Sequence, residues 1–338
     1  EYGFLAASIP EEYGGMGGDF THEAVLFSEL GLSGDSGFGL GVHNIAIHYI
    51  LAFGTGDHKQ RWLPRLATGE LIGGICMTEP GTGSDLQAVR TRAEKKGNGY
   101  IINGSKTFIS NGQIANFFIV VTKTDTAAGA RGISLFGVET DGLEGFRRGA
   151  NLDKLGLAAQ DTSELFFEDM SLPSENLMGG VEGQGFAQLM NELPWERLIV
   201  ALGCLGASEL AMRETIRYVN EREAFGQPLM EFQNTRFKLA EASTKLEVTR
   251  AFIEKCVARK VDGTLTAAEA SMAKLWSSEV QNEIIDECLQ LHGGYGYMME
   301  YPIARLYADA RVQKIYAGTS EIMKELIARS LTSVSYTH

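Results

Sequence analysis

Several signatures of other protein classes are missing from this chain of 338 residues. Its four cysteines lie far apart and form no CxxC pair, so the sequence indicates a reducing, intracellular compartment rather than a disulfide framework. No run of eighteen apolar residues occurs, so no membrane-spanning helix is predicted. The formal charge of -13 opposes a general surface for nucleic acid or anionic membranes. We therefore expect a protein of the bacterial cytoplasm, or of the mitochondrial matrix if the source is eukaryotic, with no nucleic-acid partner and no membrane insertion.

Common cofactor and catalytic motifs are also absent. The sequence contains no GxGxxG, no GxxxxGK[ST], no HExxH and no GxSxG. Its six histidines show no metal-ligand spacing, so we expect no metal. Any phosphate-bearing ligand of this acidic chain must be bound by local arginines, backbone N–H groups or helix N-termini.

Three compositional regimes follow one another along the chain. Residues 1–74 are glycine-rich with helical periodicity, residues 75–185 contain short runs of β-formers, and residues 186–338 are helical. We predict a mainly α protein with a helical N-terminal domain, a central antiparallel β-barrel and a C-terminal four-helix bundle, divided at these boundaries. The chain begins at Glu1 rather than at a methionine, so we expect the N-terminal domain to be incomplete at its start.

The periodicity also locates individual elements. Apolar residues at helical spacing predict one helix around residues 45–52 and another over 266–291. The strings NFFIVVT, GISLFGVE and SELFFEDM predict strands, and Asn103-Gly104 predicts the turn of a hairpin. Since no crossover helix separates these strands, we expect the sheet to be antiparallel.

Five short segments combine glycine, proline and small polar residues in ways that suit a ligand. They are ICMTEPGTGSDL (75–86), FISNG (108–112), EREAFGQPL (221–229), QLHGGYGYM (290–298) and IYAGTSE (315–321). Small residues allow a flat ring or a phosphate to approach the backbone, and Arg222 would neutralise a pyrophosphate. Each segment also has an ordinary interpretation, as a turn at a domain boundary, a strand end, a helix end or a helix C-cap.

In this order, MTEPGTGSD, FISNG, EREAFGQP, QLHGGYGY and YAGTSEI resemble the acyl-CoA dehydrogenase family over essentially the whole chain. The resemblance implies the same three-domain architecture, FAD as cofactor and usually a homotetramer, a dimer of dimers. It also implies an acyl-CoA substrate and electron-transfer flavoprotein as oxidant. The implied reaction is α,β-dehydrogenation, in which a carboxylate removes the α-proton while the β-hydrogen leaves as hydride to the flavin.

The resemblance assigns roles to positions within these motifs. The residues implied to contact FAD are Met77, Thr78, Ser84, Phe108, Ile109, Ser110, Arg222, Phe225, Gln233, Gln290, Gly293, Gly294, Thr319 and Glu321. Among these, Arg222, Phe225 and Gln233 would reach the FAD of a neighbouring subunit, and Ser84 would also lie near the CoA portion. Further expected substrate contacts are Leu193, Arg197 and Gly318.

The family pattern is broken at Ala317. Many members carry a glutamate base at this position, and alanine has no acid or base. The backbone N–H of Ala317 can still stabilise the thioester carbonyl, because a backbone donor requires no particular side chain. Branched- and long-chain-specific members place their glutamate on a helix directly before an arginine, and Glu196-Arg197 in NELPWERLIV (191–200) matches that arrangement. We therefore expect Glu196 to be the catalytic base, with an ion pair inside the bundle as the ordinary interpretation.

Three alternatives stay open. Gly39 and Gly41 in FGLGVH (38–43) fit a deep acyl tunnel, hence a medium-to-long or branched acyl chain, and fit a flexible helix start equally well. The same fold and cofactor would suit an oxygen-using acyl-CoA oxidase or flavin monooxygenase. A non-catalytic relative that binds nucleic acid is opposed by the net charge and by the intact Glu196-Arg197 pair.

Overall fold

The computed structural model describes residues 3–332, which form two compact units. The first unit contains the residues up to Asp19, Gly37–Lys154 and Ala158–Glu192. The second contains Phe20–Ser36, Leu155–Leu157 and the residues from Leu193 onward. Division into three domains after residues 74 and 185 stays a prediction.

Two helices and a sheet build the first unit. Helices α2 (Leu40–Phe53) and α3 (Gly56–Thr68) share one core with parts of the sheet, and the helix predicted around residues 45–52 is confirmed. A capping box at Thr55 begins α3: the Thr55 hydroxyl accepts from the His58 N–H, and the His58 ring accepts from the Thr55 N–H. The fully buried Trp62 lies at the centre of this core.

The sheet of the first unit is mixed. Its strands are β1 (Gly73–Cys76), β2 (Arg92–Lys96), β3 (Gly99–Ser110), β4 (Phe117–Lys123), β5 (Ile133–Glu139), β6 (Phe146–Asn151) and β7 (Thr162–Pro173). The order is β1-β4-β2-β3-β7-β6, with β5 also paired to β4, and β1 runs parallel to β4. The expected all-antiparallel sheet is therefore wrong, because the loop and hairpin between β1 and β4 act as the crossover that a helix usually provides. Barrel closure is not found either: within residues 3–332 no pairing joins β6 to β1 or β5.

The hairpin turn predicted at Asn103-Gly104 is also wrong. Strand β3 continues through both residues, and β2 pairs with β3 around Gly97 instead, with Lys96 opposite Gly99. The register of β3 against β7 shifts between Ile102 and Gly104. A side chain at Gly104 would place its Cβ 2.4 Å from the Thr91 hydroxyl. The glycine therefore serves a bulge and a close approach of neighbouring backbone rather than a turn.

Helices make up most of the second unit. They are α1 (Phe20–Ser33), α4 (Gly185–Glu221, which begins in the first unit), α5 (Gln233–Val261), α6 (Ala267–His292), α7 (Pro302–Ala310) and α8 (Ser320–Thr332). The helix predicted over 266–291 is confirmed as α6, which packs against α5, α7 and α8. Its end at Gly293, a residue with φ 59°, confirms the predicted C-cap. Within the described part of the chain, no helix combines the length and apolarity needed to cross a membrane.

Helix α1 supports the middle of α4. Trp195 is fully buried, donates its indole N–H to Glu23 at 2.9 Å and meets Phe27 edge-on at 6.3 Å between ring centroids. Gly31 faces Gly203 so closely that a Cβ on Gly31 would lie 2.5 Å from the Gly203 carbonyl oxygen. These contacts fix the α4 segment on which Glu196 lies.

Candidate active site

The loop after β1 carries the first set of predicted cofactor contacts. Met77 and Thr78 are half-buried, and Ser84 is exposed at the far side of the loop. Glu79 and Thr82 close the turn with reciprocal backbone hydrogen bonds of 2.9 and 3.0 Å. The loop therefore has one defined shape, with short hydroxyl groups on its surface.

The end of β3 lies beside this loop. The Thr107 N–H donates to the Thr78 carbonyl at 2.9 Å, which joins the two segments. Phe108 has φ 57° and 67% of its side chain is exposed, at a bulge where the pairing with β7 shifts. Ile109 packs into the core of the sheet, so its expected contact with FAD would be through its backbone, whereas Ser110 is half-buried at the strand end. The structure thus brings together the two predicted flavin segments of the first unit.

Glu196 and Arg197 lie inside the second unit, each with only 5% of its surface exposed. Leu193, one turn earlier on α4, is likewise buried. Burial lowers the pKa of Arg197, and the negative charge of Glu196 opposes that shift. Arg197 donates through Nη1 to the Ser271 hydroxyl on α6 at 3.5 Å. Glu196 is therefore not directed to bulk water, as a base for a weakly acidic carbon requires.

The loop before α8 carries Ala317 and Gly318, with φ values of 51° and 95°. A non-glycine residue in the left-handed region is uncommon and indicates a backbone held by its surroundings. Lys274, which is fully buried on α6, provides this support by donating to the Gly318 carbonyl at 2.7 Å. The Ser320 hydroxyl, at the start of α8, donates to Glu279 of α6 at 2.7 Å and fixes the end of the loop.

Helix α6 links the predicted base and the predicted carbonyl-binding loop. Ser271 contacts Arg197 and Lys274 contacts Gly318, and residues three apart lie on the same face of a helix. The pKa of Lys274 is lowered to about 8, chiefly by burial and also by the nearby charge of Arg197, while Cys204 and Glu279 oppose the shift. Two buried basic side chains are thus bound at this face of α6: Arg197, through Ser271, and Lys274, which contacts Gly318.

Two of the residues expected to contact FAD begin α8. The Thr319 hydroxyl accepts from the Ile322 N–H at 3.3 Å and so caps the helix. Glu321 is exposed in the first turn, where a carboxylate is favourable next to the positive end of the helix. The hydroxyl of Thr319 has a structural hydrogen bond in addition to its predicted role.

A short hairpin follows α4 and carries Phe225 at its tip. Glu223–Ala224 pairs with Gln227–Pro228, and Phe225 has φ 52° with 97% of its side chain exposed. The sequence predicts a helix end in this segment, and the hairpin was not predicted. Gln233, which begins α5 a few residues after the hairpin, is also exposed. A fully exposed aromatic side chain at the tip of a hairpin, on a residue with left-handed backbone, is a typical contact for another molecule.

Arg222 lines a pocket of about 350 Å³ in the second unit. His292, Tyr295 and Tyr301 line the same pocket, and the Arg222 guanidinium lies 5.6 Å from the centre of the Tyr295 ring. Three residues within two positions of His292 are exposed, and the resemblance links them to the adenine half of FAD: Gln290, Gly293 and Gly294. A Cβ on either glycine would meet open space, so room for a ligand exists at this surface.

These groups suit FAD by their chemistry. In the first unit, Thr78, Ser84 and Ser110 offer hydroxyl groups, and an exposed aromatic ring lies at Phe108, as a flat polar ring system requires. In the second unit, Arg222 offers a cation for a pyrophosphate. Three buried side chains that support the predicted segments in their own units were not predicted from the sequence: Glu79, Lys106 and Lys274. The only available signal was a charged residue inside an otherwise apolar or small-residue motif.

Comparison with known proteins supports the same family along the whole chain. Models of the N-terminal, middle and C-terminal domains of acyl-CoA dehydrogenase match residues 1–70, 74–170 and 183–332. A long-chain specific acyl-CoA dehydrogenase of Mus musculus mitochondria is 49% identical over 98% of this chain and 78% of its own length. An isovaleryl-CoA dehydrogenase of Solanum tuberosum mitochondria is 37% identical over 98% of the chain and 80% of its own length.

Solved structures agree. An acyl-CoA dehydrogenase from Geobacillus kaustophilus has a TM-score of 0.95 and 48% identity, covering 97% of this chain and 87% of its own. A butyryl-CoA dehydrogenase from Megasphaera elsdenii has a TM-score of 0.93 and 36% identity, with coverage of 98% and 87%. On these matches the chain belongs to the acyl-CoA dehydrogenase family.

Proposed function

We propose that this protein oxidises medium-to-long or branched fatty acyl-CoA thioesters to trans-2-enoyl-CoA, with Glu196 as the base. Family membership already makes it an FAD-dependent oxidoreductase that dehydrogenates acyl-CoA. The observation that carries the finer proposal is a carboxylate buried to 5% exposure on α4, at the Glu-Arg pair that replaces the base missing at Ala317.

The proposed chemistry uses three groups of the chain. Glu196 takes the α-proton of the substrate, and its burial keeps water from competing for the carboxylate. The Ala317 N–H stabilises the thioester oxygen as negative charge develops. Lys274 fixes the loop through the Gly318 carbonyl, so that the N–H is oriented before the substrate arrives. When bound, FAD supplies a hydride acceptor for the β-hydrogen.

The proposed acyl group is supported by the relatives rather than by Gly39. The mammalian long-chain enzymes are 49–50% identical to this chain and the plant isovaleryl-CoA enzymes 37–38%. A Cβ on Gly39 would lie 2.1 Å from the Asn111 side chain, so this glycine is needed for close packing of α2 on the end of β3. It therefore gives no support to an acyl tunnel.

We also propose electron-transfer flavoprotein as the oxidant and a homotetramer as the assembly. A solved structure described for the electron-transferring flavoprotein of Acidaminococcus fermentans is 38% identical over 98% of this chain. The exposed Phe225, Tyr297 and Met299, at 97%, 82% and 61%, are typical of a surface covered by another chain. Light scattering of the FAD-bound protein tests the assembly, since a monomer would refute it.

Anaerobic titration of the FAD-bound protein with acyl-CoAs tests the base. Wild-type flavin should bleach with C8 to C16 or branched acyl-CoA, and Glu196→Gln should slow the bleaching at least ~10²-fold because the α-proton has no acceptor. Glu209→Gln on the same helix is the matched control, since Glu209 is partly exposed and paired with Arg250. Bleaching of Glu196→Gln at the wild-type rate would exclude Glu196, and bleaching with C4 alone would exclude the proposed chain length.

An oxygen-using enzyme is the second candidate. A structure titled as the prolyl acyl carrier protein oxidase AnaB is 33% identical over 98% of this chain. Reduced protein mixed with air separates the two: rapid reoxidation by oxygen would favour the oxidase, and dependence on electron-transfer flavoprotein favours the dehydrogenase.

A further inference from the structure

A fully buried lysine lies directly beneath the predicted flavin segments. Lys106, on β3, has 0% of its side chain exposed and donates to the Met77 carbonyl at 3.1 Å and to Glu79 at 2.9 Å. Moving an ammonium group out of water is costly, and the resulting buried ion pair is a poor source of net stability. We therefore expect the main contribution of the Lys106–Glu79 pair to be the backbone geometry that it imposes, rather than net stability.

Glu79 fixes the loop from its own side. Besides Lys106, its carboxylate accepts the N–H groups of Arg90 at 2.7 Å and Thr91 at 2.9 Å. Its backbone pairs with Thr82, as described above. Burial alone would raise the pKa of Glu79, but Lys106 and these hydrogen bonds outweigh burial and hold the pKa below its ordinary value. The carboxylate is thus charged and fully occupied at neutral pH.

The same lysine also precedes the bulge that exposes Phe108. The register of β3 against β7 holds at Lys106 and resumes at Ile109, so the distortion begins immediately after the lysine. The next residue, Thr107, donates to the Thr78 carbonyl. One buried side chain therefore ties the carbonyl of Met77, the carboxylate of Glu79 and the bulged strand into a single rigid arrangement.

We propose that Lys106 and Glu79 are positioning residues for the flavin, which set the relative placement of the Met77–Ser84 loop and the Phe108–Ser110 segment. This inference rests on the proposed function only in taking these two segments as flavin contacts. Both side chains have almost no exposed surface with which to contact a bound cofactor, since Lys106 is buried and Glu79 is 6% exposed. Their effect on FAD is transmitted through the backbone of the two segments.

The test is FAD affinity and the visible spectrum of the bound flavin in Lys106→Met. We expect the folded variant to bind FAD at least ~10-fold more weakly, equal to about 1.4 kcal/mol, and with altered absorption bands. A purely structural role would lower the thermal midpoint of apo- and FAD-bound protein equally and leave affinity and spectrum unchanged. Lys96→Met is the control, since Lys96 is an exposed lysine on the neighbouring strand β2.

Glu79→Gln is the second variant, because it keeps the shape of the side chain but removes its charge. Glu79→Gln should weaken FAD binding in the same way as Lys106→Met. It therefore tests the proposal even where Lys106→Met does not fold. Unchanged affinity and spectrum in a folded variant would overturn the proposal, and failure of both variants to fold would assign the pair to folding alone and overturn it equally. Wild-type protein that binds no FAD would instead refute the cofactor site as a whole, so the two failures are distinguishable.

Discussion

Two fully buried lysines, one in each unit, support predicted ligand-binding segments of their own unit in different ways. Lys106 in the first unit is 1% exposed and Lys274 in the second 0%. Each donates to a backbone carbonyl, that of Met77 for Lys106 and that of Gly318 for Lys274. Lys106 also has the Glu79 carboxylate at 2.9 Å. Within residues 3–332, the hydrogen-bond partner of Lys274 is the Gly318 carbonyl, with Glu279 and Glu321 as more distant charges.

This difference separates a lysine with a carboxylate in contact from one that binds only a neutral carbonyl. Glu79 stays ionised against Lys106, so the flavin-side pair is held by opposite charges. Lys274 has no such counter-charge in contact, and burial brings its pKa to about 8. The predicted carbonyl-binding loop therefore depends on a lysine whose pKa is about 8 and whose hydrogen-bond partner is a neutral carbonyl. Burial lowers the pKa of Lys106 as well, but there the Glu79 carboxylate in contact opposes the shift.

The largest expected effect is on stability at Lys106. Lys106→Met should lower the free energy of unfolding by about 3–5 kcal/mol, because Glu79 would remain buried without a counter-charge. Guanidinium unfolding of the apo-protein measures this, with Lys96→Met as the control. A loss under about 1 kcal/mol would show that Glu79 is satisfied by its backbone donors alone.

Lys274→Met should cost less stability and more activity. The unsatisfied Gly318 carbonyl costs about 1–3 kcal/mol, partly offset because a buried cation is removed as well. Activity should fall by roughly 10- to 100-fold in kcat, because the Ala317 N–H is no longer held in place. Steady-state kinetics at saturating acyl-CoA measure the fall, and an unchanged kcat would mean that the loop keeps its shape without the lysine.

The pH dependence of stability should report the lowered pKa of Lys274. Folded Lys274 releases its proton near pH 8 and unfolded lysine near 10.5, so the unfolded state binds more protons between these values. The free energy of unfolding attributable to Lys274 therefore rises with pH across this window. Unfolding curves of wild type and Lys274→Met at pH 7.5 and 9.5 measure it. We expect wild type to gain stability relative to the variant, and an equal response of both proteins would contradict the lowered pKa.

The smallest expected effect is at Ser320. Ser320→Ala removes the hydrogen bond to Glu279 and should cost about 0.5–1.5 kcal/mol, with a change in kcat below ~3-fold because Lys274 still holds the loop. Thermal unfolding and kinetics measure both quantities. A loss of activity as large as that of Lys274→Met would show that the two contacts act as one unit.

Sequence patterns predicted the long elements well. Helical periodicity located α2 and α6, since each buries apolar residues over several turns. The strands β4, β5 and β7 were predicted because they are apolar and bounded by turn residues. Strand order was not predictable, because the parallel pairing of β1 and β4 depends on residues far apart in sequence.

The site was predictable in its motifs but not in its supports. MTEPGTGSD and YAGTSEI indicated the loops, and NELPWERLIV indicated Glu196, but the roles of all these residues stay predictions. Lys106 and Lys274 could not be assigned from pattern, because a lysine in a strand or helix is usually exposed. Only the fold shows that both are buried and which carbonyls they bind.

The central claim is that Glu196 takes the α-proton, and isotope exchange tests it without hydride transfer. An acyl-CoA analogue with sulfur in place of the β-carbon has no β-hydrogen to lose, so its α-protons report deprotonation alone. NMR in D₂O should show exchange by the FAD-bound wild type and by Glu209→Gln, and at least ~10²-fold slower exchange by Glu196→Gln. Exchange by Glu196→Gln at the wild-type rate would contradict the account.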